Sequence, residues 1–340
     1  MPNPTASAVH VNRPLTNISI AYMQDAAGFV ADRVFPNIPV LKQSDAYFRY
    51  DRSDFWRNQY QKRAPSTESA GSGWKIDNTP TYYAHVWSLH KDIDDQIRSN
   101  ADSPLNMDRD ATIWLSQQGM IAREVSWAAS YFTTGLWTGI DGSTGDVTGV
   151  SSGPTGNQVL QWNDASSNPI SDVKAYNDKI HLLNGLRGNK LVLGRQVWTQ
   201  LSEHPDLIDR IKYTSGNNSP AIVSRQAAAA LFEIDEIAIM DGIQVTSAEN
   251  PAFETSMTTS FIAGKQALLV YAAPQASLLQ PSGGYTFSWT GYLPGQGSMG
   301  QVISTFRMQQ LKSDRVEGEM AYAQKLVAPT CGVFFASIIA

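Results

Sequence analysis

The sequence predicts an α+β protein built from several parts along an extended path, and three observations carry that reading. Two strand-like runs flank a polar tip early in the chain, one unusually long helix follows, and the remainder alternates short helices with strands before closing in strands. At 340 residues the chain exceeds a typical single domain, so it can form two compact units or one elaborated unit.

Residues 1–43 scatter prolines at positions 2, 4, 14, 36 and 39 around one short amphipathic stretch, Ile18 to Val30. Such a segment builds little core of its own and is expected to run over other structure as an arm. A long hairpin is expected at 44–90, with Asp45 to Tyr50 on one side, Thr81 to Leu89 on the other and Pro65 to Gly73 as a flexible tip. Ser103 can cap the long helix, Pro104 suits its first position, and Asp108 and Asp110 sit near its positive end. Continued to Phe132 and stopped at Gly135, it makes a rod of roughly 29 residues and about 43 Å. Leu105, Ile113, Met120, Trp127 and Tyr131, with Trp114 and Val125 beside them, supply its apolar surface. A helix this long in a mixed chain needs something extended to lie on.

Residues 139–171 are rich in Gly, Ser, Thr and Asn and read as a loop. A compact α/β pattern follows. It has a helix at 172–184, a strand from Asn189 to Gly194, and a helix from Arg195 broken at Pro205. A further helix runs from Ser219-Pro220 to Phe232, then a strand from Glu236 to Met240 turns at Asp241-Gly242. The apolar run from Phe261 to Tyr271 carries Lys265 and Gln266 in its middle, so it reads as a buried strand and not a membrane span. Strand-like segments at Tyr285 to Trp289, Val302 to Met308 and Val316 to Ala340 are expected to pair with one another against the long helix.

Composition narrows function less than form. With 42% hydrophobic and 17% charged residues, and with nine Trp, thirteen Tyr and twelve Phe, the chain suits a surface that meets other protein, as it also suits an ordinary enzyme. A net charge of -5 argues against gripping nucleic acid as the main task, although a container need not bind its contents strongly. The single cysteine, Cys331, forms no intrachain disulfide and sits in the apolar run Thr330 to Phe335, where it reads as a buried small hydrophobe. A reducing, cytoplasmic site of folding is the default. The N-terminus lacks the basic and apolar regions of a secretory signal.

Motifs that would carry chemistry lack their contexts. Gly295, Gly297 and Gly300 match G-x-G-x-x-G with Glu317 beyond, but a strand-like run follows where a dinucleotide site needs a helix N-terminus. Gly149 to Gly153 match G-x-S-x-G around Ser151, but inside a Gly/Ser stretch and not at a strand-to-helix elbow. The five histidines, at 10, 85, 90, 181 and 204, stand singly, so no metal or other cofactor is expected. Asp92, Asp94 and Asp95 lack the glycine and terminal glutamate of a calcium loop and read as caps of a short turn. Between Arg49 and Arg63, basic residues interleave with aromatics as in a single-strand stacking platform, but Asp51 and Asp54 dilute the charge. A hairpin pressing on a neighbouring subunit explains the same residues better.

The order arm, long hairpin, spine helix, compact α/β domain and closing strands resembles the major capsid protein of tailed phages, the Hong Kong 97-like fold. Phe29 to Val40 resembles the end of the arm in such proteins, Val197 to Tyr213 a recurrent helix of the axial domain, and Ala229 to Ile237 the segment entering the next strand. The resemblance covers nearly the whole chain and rests on order and length more than on any one motif. It implies an arm at 1–43, an extended loop at 44–91, a peripheral domain at 92–168 and 284–340, and an axial domain at 169–283. It also implies a non-enzymatic subunit, synthesised and assembled in the host cytoplasm, that forms hexamers and pentamers of an icosahedral virion shell. Double-stranded DNA would be packaged inside by weak contact, with a separate scaffolding protein, a portal and decoration proteins as partners, and no membrane. Contacts between subunits are expected from Tyr47, Tyr50, Arg52, Phe55 and Trp56 and from Arg57, Tyr60, Arg63 and Trp74. Some members weld subunits by Lys-Asn bonds, but Lys62 and Lys75 have no identifiable partner and no crosslink is predicted. An encapsulin-type compartment is the alternative, and a serine hydrolase using Ser151 is a third reading.

Overall fold

The computed structural model describes residues 23–102, 105–143, 145–214, 223–249, 257–275, 280–294 and 301–340. The chain enters through helix α1 (Ala31–Val34) and strand β1 (Asn37–Val40). It then makes an excursion through β2 (Ser44–Ala46), β3 (Arg49–Tyr50), helix α2 (Arg52–Trp56), β4 (Ile76–Asp77) and β5 (Thr81–Tyr83). The long strand β6 (His85–Asp94) leads to α3 (Asp95–Asn100) and the spine helix α4 (Met107–Tyr131). Two short strands, β7 (Val147–Val150) and β8 (Gln158–Leu160), precede α5 (Pro169–Asn184), β9 (Lys190–Gly194), α6 (Arg195–Ser202), α7 (Pro205–Thr214), α8 (Arg225–Phe232) and β10 (Glu236–Met240). The chain closes with β11 (Ile243–Val245), β12 (Thr259–Phe261), β13 (Ala267–Val270), β14 (Gly284–Trp289), β15 (Gln301–Met308), β16 (Ser313–Leu326) and β17 (Gly332–Ala336). Among the described residues no helix is long and apolar enough to cross a membrane.

Two sheets organise these elements. The first is built on β16, which pairs antiparallel with β6 along one edge and with β15 and then β14 along the other, while β1 adds parallel to β14. The spine helix lies across this sheet. Asn106 caps it by accepting the Arg109 N–H at 3.1 Å, so the helix starts later than expected; Ser103 and Pro104 lie outside the described residues. The buried face also differs from the expected set, because Ile113 is exposed while Ala111, Leu115, Gly119, Arg123 and Trp127 form an i, i+4 row against the sheet. Small residues win where the helix approaches most closely. The Gln301 side chain fills the space over Gly119 and Gly318 and donates to the Leu115 carbonyl at 3.1 Å, and a Cβ on Gly119 would stand 2.8 Å from it.

Charged residues lock the far end of this sheet. Asp94 caps α3 through the Gln96 N–H, and Arg315 holds Asp92 with two hydrogen bonds of 2.7 and 2.9 Å. Arg307 grips Asp95 and reaches Asp314, which Arg98 also holds while it contacts Asp108. The hydrogen bonds from Arg315, Arg307 and Arg98 keep Asp92, Asp95 and Asp314 below the ordinary carboxylate value. A carboxylate lowered by folding contributes stability above its unfolded value and loses it as pH falls through its folded value. Thermal melts should therefore weaken below about pH 4, and Asp314→Asn should remove part of that acid dependence.

The second sheet has the order β10-β9-β13-β17-β7-β8. Alternation along its strands buries both faces. Leu191, Leu193, Ile237, Ile239 and Phe335 point toward α5 to α8, whereas Val192, Ala238, Met240, Val270 and Phe334 meet the arm and the end of the spine helix. Helix α5 is capped at Asn168, begins with Pro169 and ends at Gly185. The expected start of α8 at Ser219-Pro220 lies outside the described residues, and Ser224 caps the observed helix.

Four further readings change. The stretch 139–171 is not a bare loop, since β7 and β8 extend the second sheet and Trp162 is fully buried. Gly149 permits this, because a Cβ there would meet the Ser337 carbonyl oxygen at 2.3 Å. The run from Phe261 to Tyr271 splits into β12 and β13. Strand β17 leaves the closing strands and inserts between β13 and β7, so of the closing strands β14, β15 and β16 remain in the sheet beneath the spine helix. Finally, residues 30–35 are embedded and not draped, with Val30, Val34 and Phe35 fully buried and Phe35 edge-on to Trp127 at 5.7 Å. Residues 1–22 lie outside the described residues.

Candidate assembly surface

The excursion between β2 and β5 has a fixed base and a bare tip. At its base the rings of Tyr47 and Tyr82 stack on Phe287 of β14, at 5.7 and 4.6 Å. One step out, Arg49 pairs with Asp77 at 2.8 Å across β3 and β4. Asp51 caps α2 by accepting the Ser53 N–H, Asp54 accepts the Lys75 N–H at 3.0 Å, and Tyr50 meets Phe55 edge-on. Helix α2 then touches the second sheet's helical layer. Arg52 donates to the Leu183 carbonyl at 2.6 Å, placing a cation at the C-terminal end of α5. The Trp56 ring fills the space a Cβ on Gly185 would need, 3.3 Å away, at a residue whose φ of +69° already favours glycine.

Beyond α2 the side chains lose protein cover. Tyr60 is 100% exposed and Trp74 64%, and both rim a shallow cavity of ≈ 280 Å³ shared with Phe55 and Arg57. Arg63 donates only to the Thr67 carbonyl within the tip. Of the nine residues expected at contacts, Tyr47 is half-buried on its own chain, Arg52 and Trp56 reach the end of α5, and the other six face solvent. More than half of the exposed large apolar side chains among the described residues fall between Leu41 and Trp87. Phe48, Ile76, Tyr83 and Trp87 belong to this surface and were not foreseen, although alternation along β5 and β6 would have pointed Tyr83 outward. Exposed apolar surface rimmed by charge is a general feature of places where proteins meet partners, membranes or ligands.

A second concave surface lies between β6 and the start of α4. This cleft of ≈ 720 Å³ is walled by Leu89, Met107 and Trp114 and carries Lys91, Asp92, Asp110 and Glu249. Asp92 and Asp110 in its lining are already paired with Arg315 and Arg109, leaving Glu249 beside Lys91, whereas in the excursion tip Arg57, Lys62, Arg63 and Lys75 stand with one acid, Glu68.

Among the described residues, neither Ser151 nor the Ser167–His204 pair has the geometry of an activated nucleophile. Ser151 is exposed, and the chain passes from β7 through bends into β8, with no helix to form an elbow. His204 does meet a serine, Ser167, at 3.0 Å. However, His204 Nδ1 accepts the Asp206 N–H and Nε2 faces the Asp164 carbonyl at 3.1 Å, so Nε2 carries the proton and has no lone pair to take another. The pair is a buried tie between a loop and α7. Burial pushes the Cys331 thiol up to about 12, far from a reactive thiolate. The stretch from Gly295 to Gly300 lies outside the described residues.

A spine helix across a narrow sheet, a projecting hairpin and a compact α/β layer define the class: this is the Hong Kong 97-like fold of phage capsid proteins. The mature capsid of bacteriophage PhiM1 matches with a TM-score of 0.60 at 11% identity, over 96% of this chain and 92% of that one. A phage-related protein of Bordetella bronchiseptica matches with a TM-score of 0.66 at 18% identity, over 93% and 94%. In sequence, the chain is 24% identical over 336 residues to the major capsid protein of Pseudomonas phage JBD67, 97% of each chain. It is 28% identical to the major capsid protein of Burkholderia phage BcepMu over 127 residues, 37% of this chain and 39% of that one. An encapsulin of Synechococcus elongatus has the same fold, with a TM-score of 0.52 at 10% identity over 96% and 92%. No protein-family model matches the chain.

Proposed function

We propose that this chain is the major capsid protein of a tailed phage, which tiles into an icosahedral shell around double-stranded DNA. The observation that carries the reading is sequence relatedness to a phage major capsid protein across 97% of both chains, joined to the shared fold. The function is mechanical: contacts of modest strength, repeated around every subunit, close a shell. The excursion lies over an adjacent subunit, with its exposed aromatic and basic tip making the contact. A scaffolding protein directs assembly in the host cytoplasm, and a portal and decoration proteins complete the virion. The residues 44–91, 92–168 with 284–340, and 169–283 serve as loop, peripheral and axial parts.

The chain, expressed alone or with its scaffold, is expected to form large closed particles visible by electron microscopy. A small monodisperse species under every assembly condition, with the loop intact, would sink the proposal. The shared fold of the Synechococcus encapsulin supports a second reading, a cellular compartment for an enzyme cargo. Neighbouring terminase and portal genes favour the phage shell, whereas a peroxidase or ferritin-like gene favours the compartment. A serine-reactive probe should leave Ser151 unlabelled.

A further inference from the structure

The excursion is fastened to its own subunit at two separated places. At the base, Tyr47 and Tyr82 stack on Phe287 of the first sheet. Between that base and α2 it narrows to the two-residue pairing of β3 with β4, where Arg49, Tyr50 and Ile76 are exposed. A two-stranded ribbon exposed in this way sets no fixed direction by itself.

The second fastening is the end of α5. A helix leaves its last carbonyls without intrahelical partners, and Arg52 donates to that of Leu183 at 2.6 Å and to the Asn184 side chain at 3.4 Å. The receiving end is itself held in place. Asn184 donates to the Ile180 and Thr330 carbonyls at 3.1 and 2.6 Å, and Thr330 Oγ1 donates back to Asn184 Oδ1 at 2.6 Å. Thr330 lies in the turn that carries the chain from the first sheet into β17 of the second. Beside this network the Trp56 ring covers Gly185. Both limbs of the excursion follow α2, because the Asp51 N–H donates to the Lys75 carbonyl at 3.3 Å and the Lys75 N–H to Asp54 at 3.0 Å.

We propose that Arg52 and Trp56 form a latch that fixes the direction of the excursion on its own subunit before any neighbour is met, so that the tip is presented to a second copy of this chain already aimed. Ordering the excursion beforehand removes that cost from the moment of contact. The second copy as recipient rests on the shell reading above, whereas the latch is a property of the single chain. Two exposed side chains add little to the stability of the body, and their effect is on direction.

Spin labels test the latch in the unassembled chain. Cys331 is fully buried, so labels attach at introduced cysteines: Asn58→Cys, just beyond α2, and Gln200→Cys, exposed on α6. Pulsed electron resonance below the assembly threshold should give one narrow distance distribution. Arg52→Ala combined with Trp56→Ala should broaden it severalfold, and Arg52→Lys, which keeps a donor for the Leu183 carbonyl, should leave it narrow. The double variant should melt as wild type does and need a roughly threefold to tenfold higher concentration to form particles. A broad wild-type distribution, equal widths in wild type and double variant, or an unaltered threshold overturns the proposal. An assembly defect without broadening also overturns it, by assigning both residues to the contact with the neighbour. A wild-type chain that forms no particles removes the shell reading, and the widths still decide the latch.

Discussion

Trp127→Ala is expected to destabilise the subunit by about 3–5 kcal/mol, the usual range for deleting a fully buried large aromatic. Trp127 is 0% exposed and stands where the spine helix, the arm and the second sheet converge. Its ring is edge-on to Phe35 at 5.7 Å and packs near Phe132 at 6.0 Å. Close-packed surroundings from three separate parts of the chain cannot all collapse into the space left behind. Urea unfolding of the unassembled chain measures the effect, with Trp56→Ala as the contrast. Trp56 is 53% exposed and rests only on the end of α5, so its removal should cost no more than about 0.5 kcal/mol. Equal losses for the two tryptophans would refute the junction described above.

Replacing residues 58–73 by a short Gly/Ser bridge should give the opposite pattern, an intact fold and no closed particles. The cut leaves β3 and β4 paired and keeps the Tyr47 stack on Phe287, so the base of the excursion survives. It removes Tyr60, Lys62 and Arg63, whose side chains meet almost nothing in their own subunit. Long surface loops add little to the stability of a domain, and the melting temperature should stay within a few degrees of wild type. Assembly is more sensitive, because a shell repeats each contact at every subunit and a modest loss is multiplied. Particles formed in normal yield by the shortened chain would exclude the tip from the interface.

Local grammar made much of this architecture readable. The break of the helix from Arg195 at Pro205, the strand from Glu236 to Met240 and the aromatic, arginine-bearing excursion all announce themselves within a few neighbours. The misreadings share a physical cause, which is dependence on distant partners. Val333 to Phe335 is apolar enough for either sheet, and nothing local says that it belongs between β13 and β7. Gly149 looks like loop glycine until the backbone at Ser337 comes against it. Nothing local marks Glu124 as buried, because the N–H groups it accepts lie 93 and 94 positions earlier. The basic tip is visible in the sequence, whereas the cleft requires β6, α4 and Glu249 to be brought together.

The central position of β17 also sets a timetable for biosynthesis. Until residues 332–336 leave the ribosome, the second sheet exists only as two disconnected pieces, β10-β9-β13 and β7-β8. Neither piece alone presents the full face on which the arm and the spine helix rest. Pairing of such distant segments is intrinsically slow, so the second sheet closes only once residues 332–336 have emerged. In the proposed shell, a chain still short of these residues lacks the finished body with which to join its neighbours, and the order of the strands itself delays association.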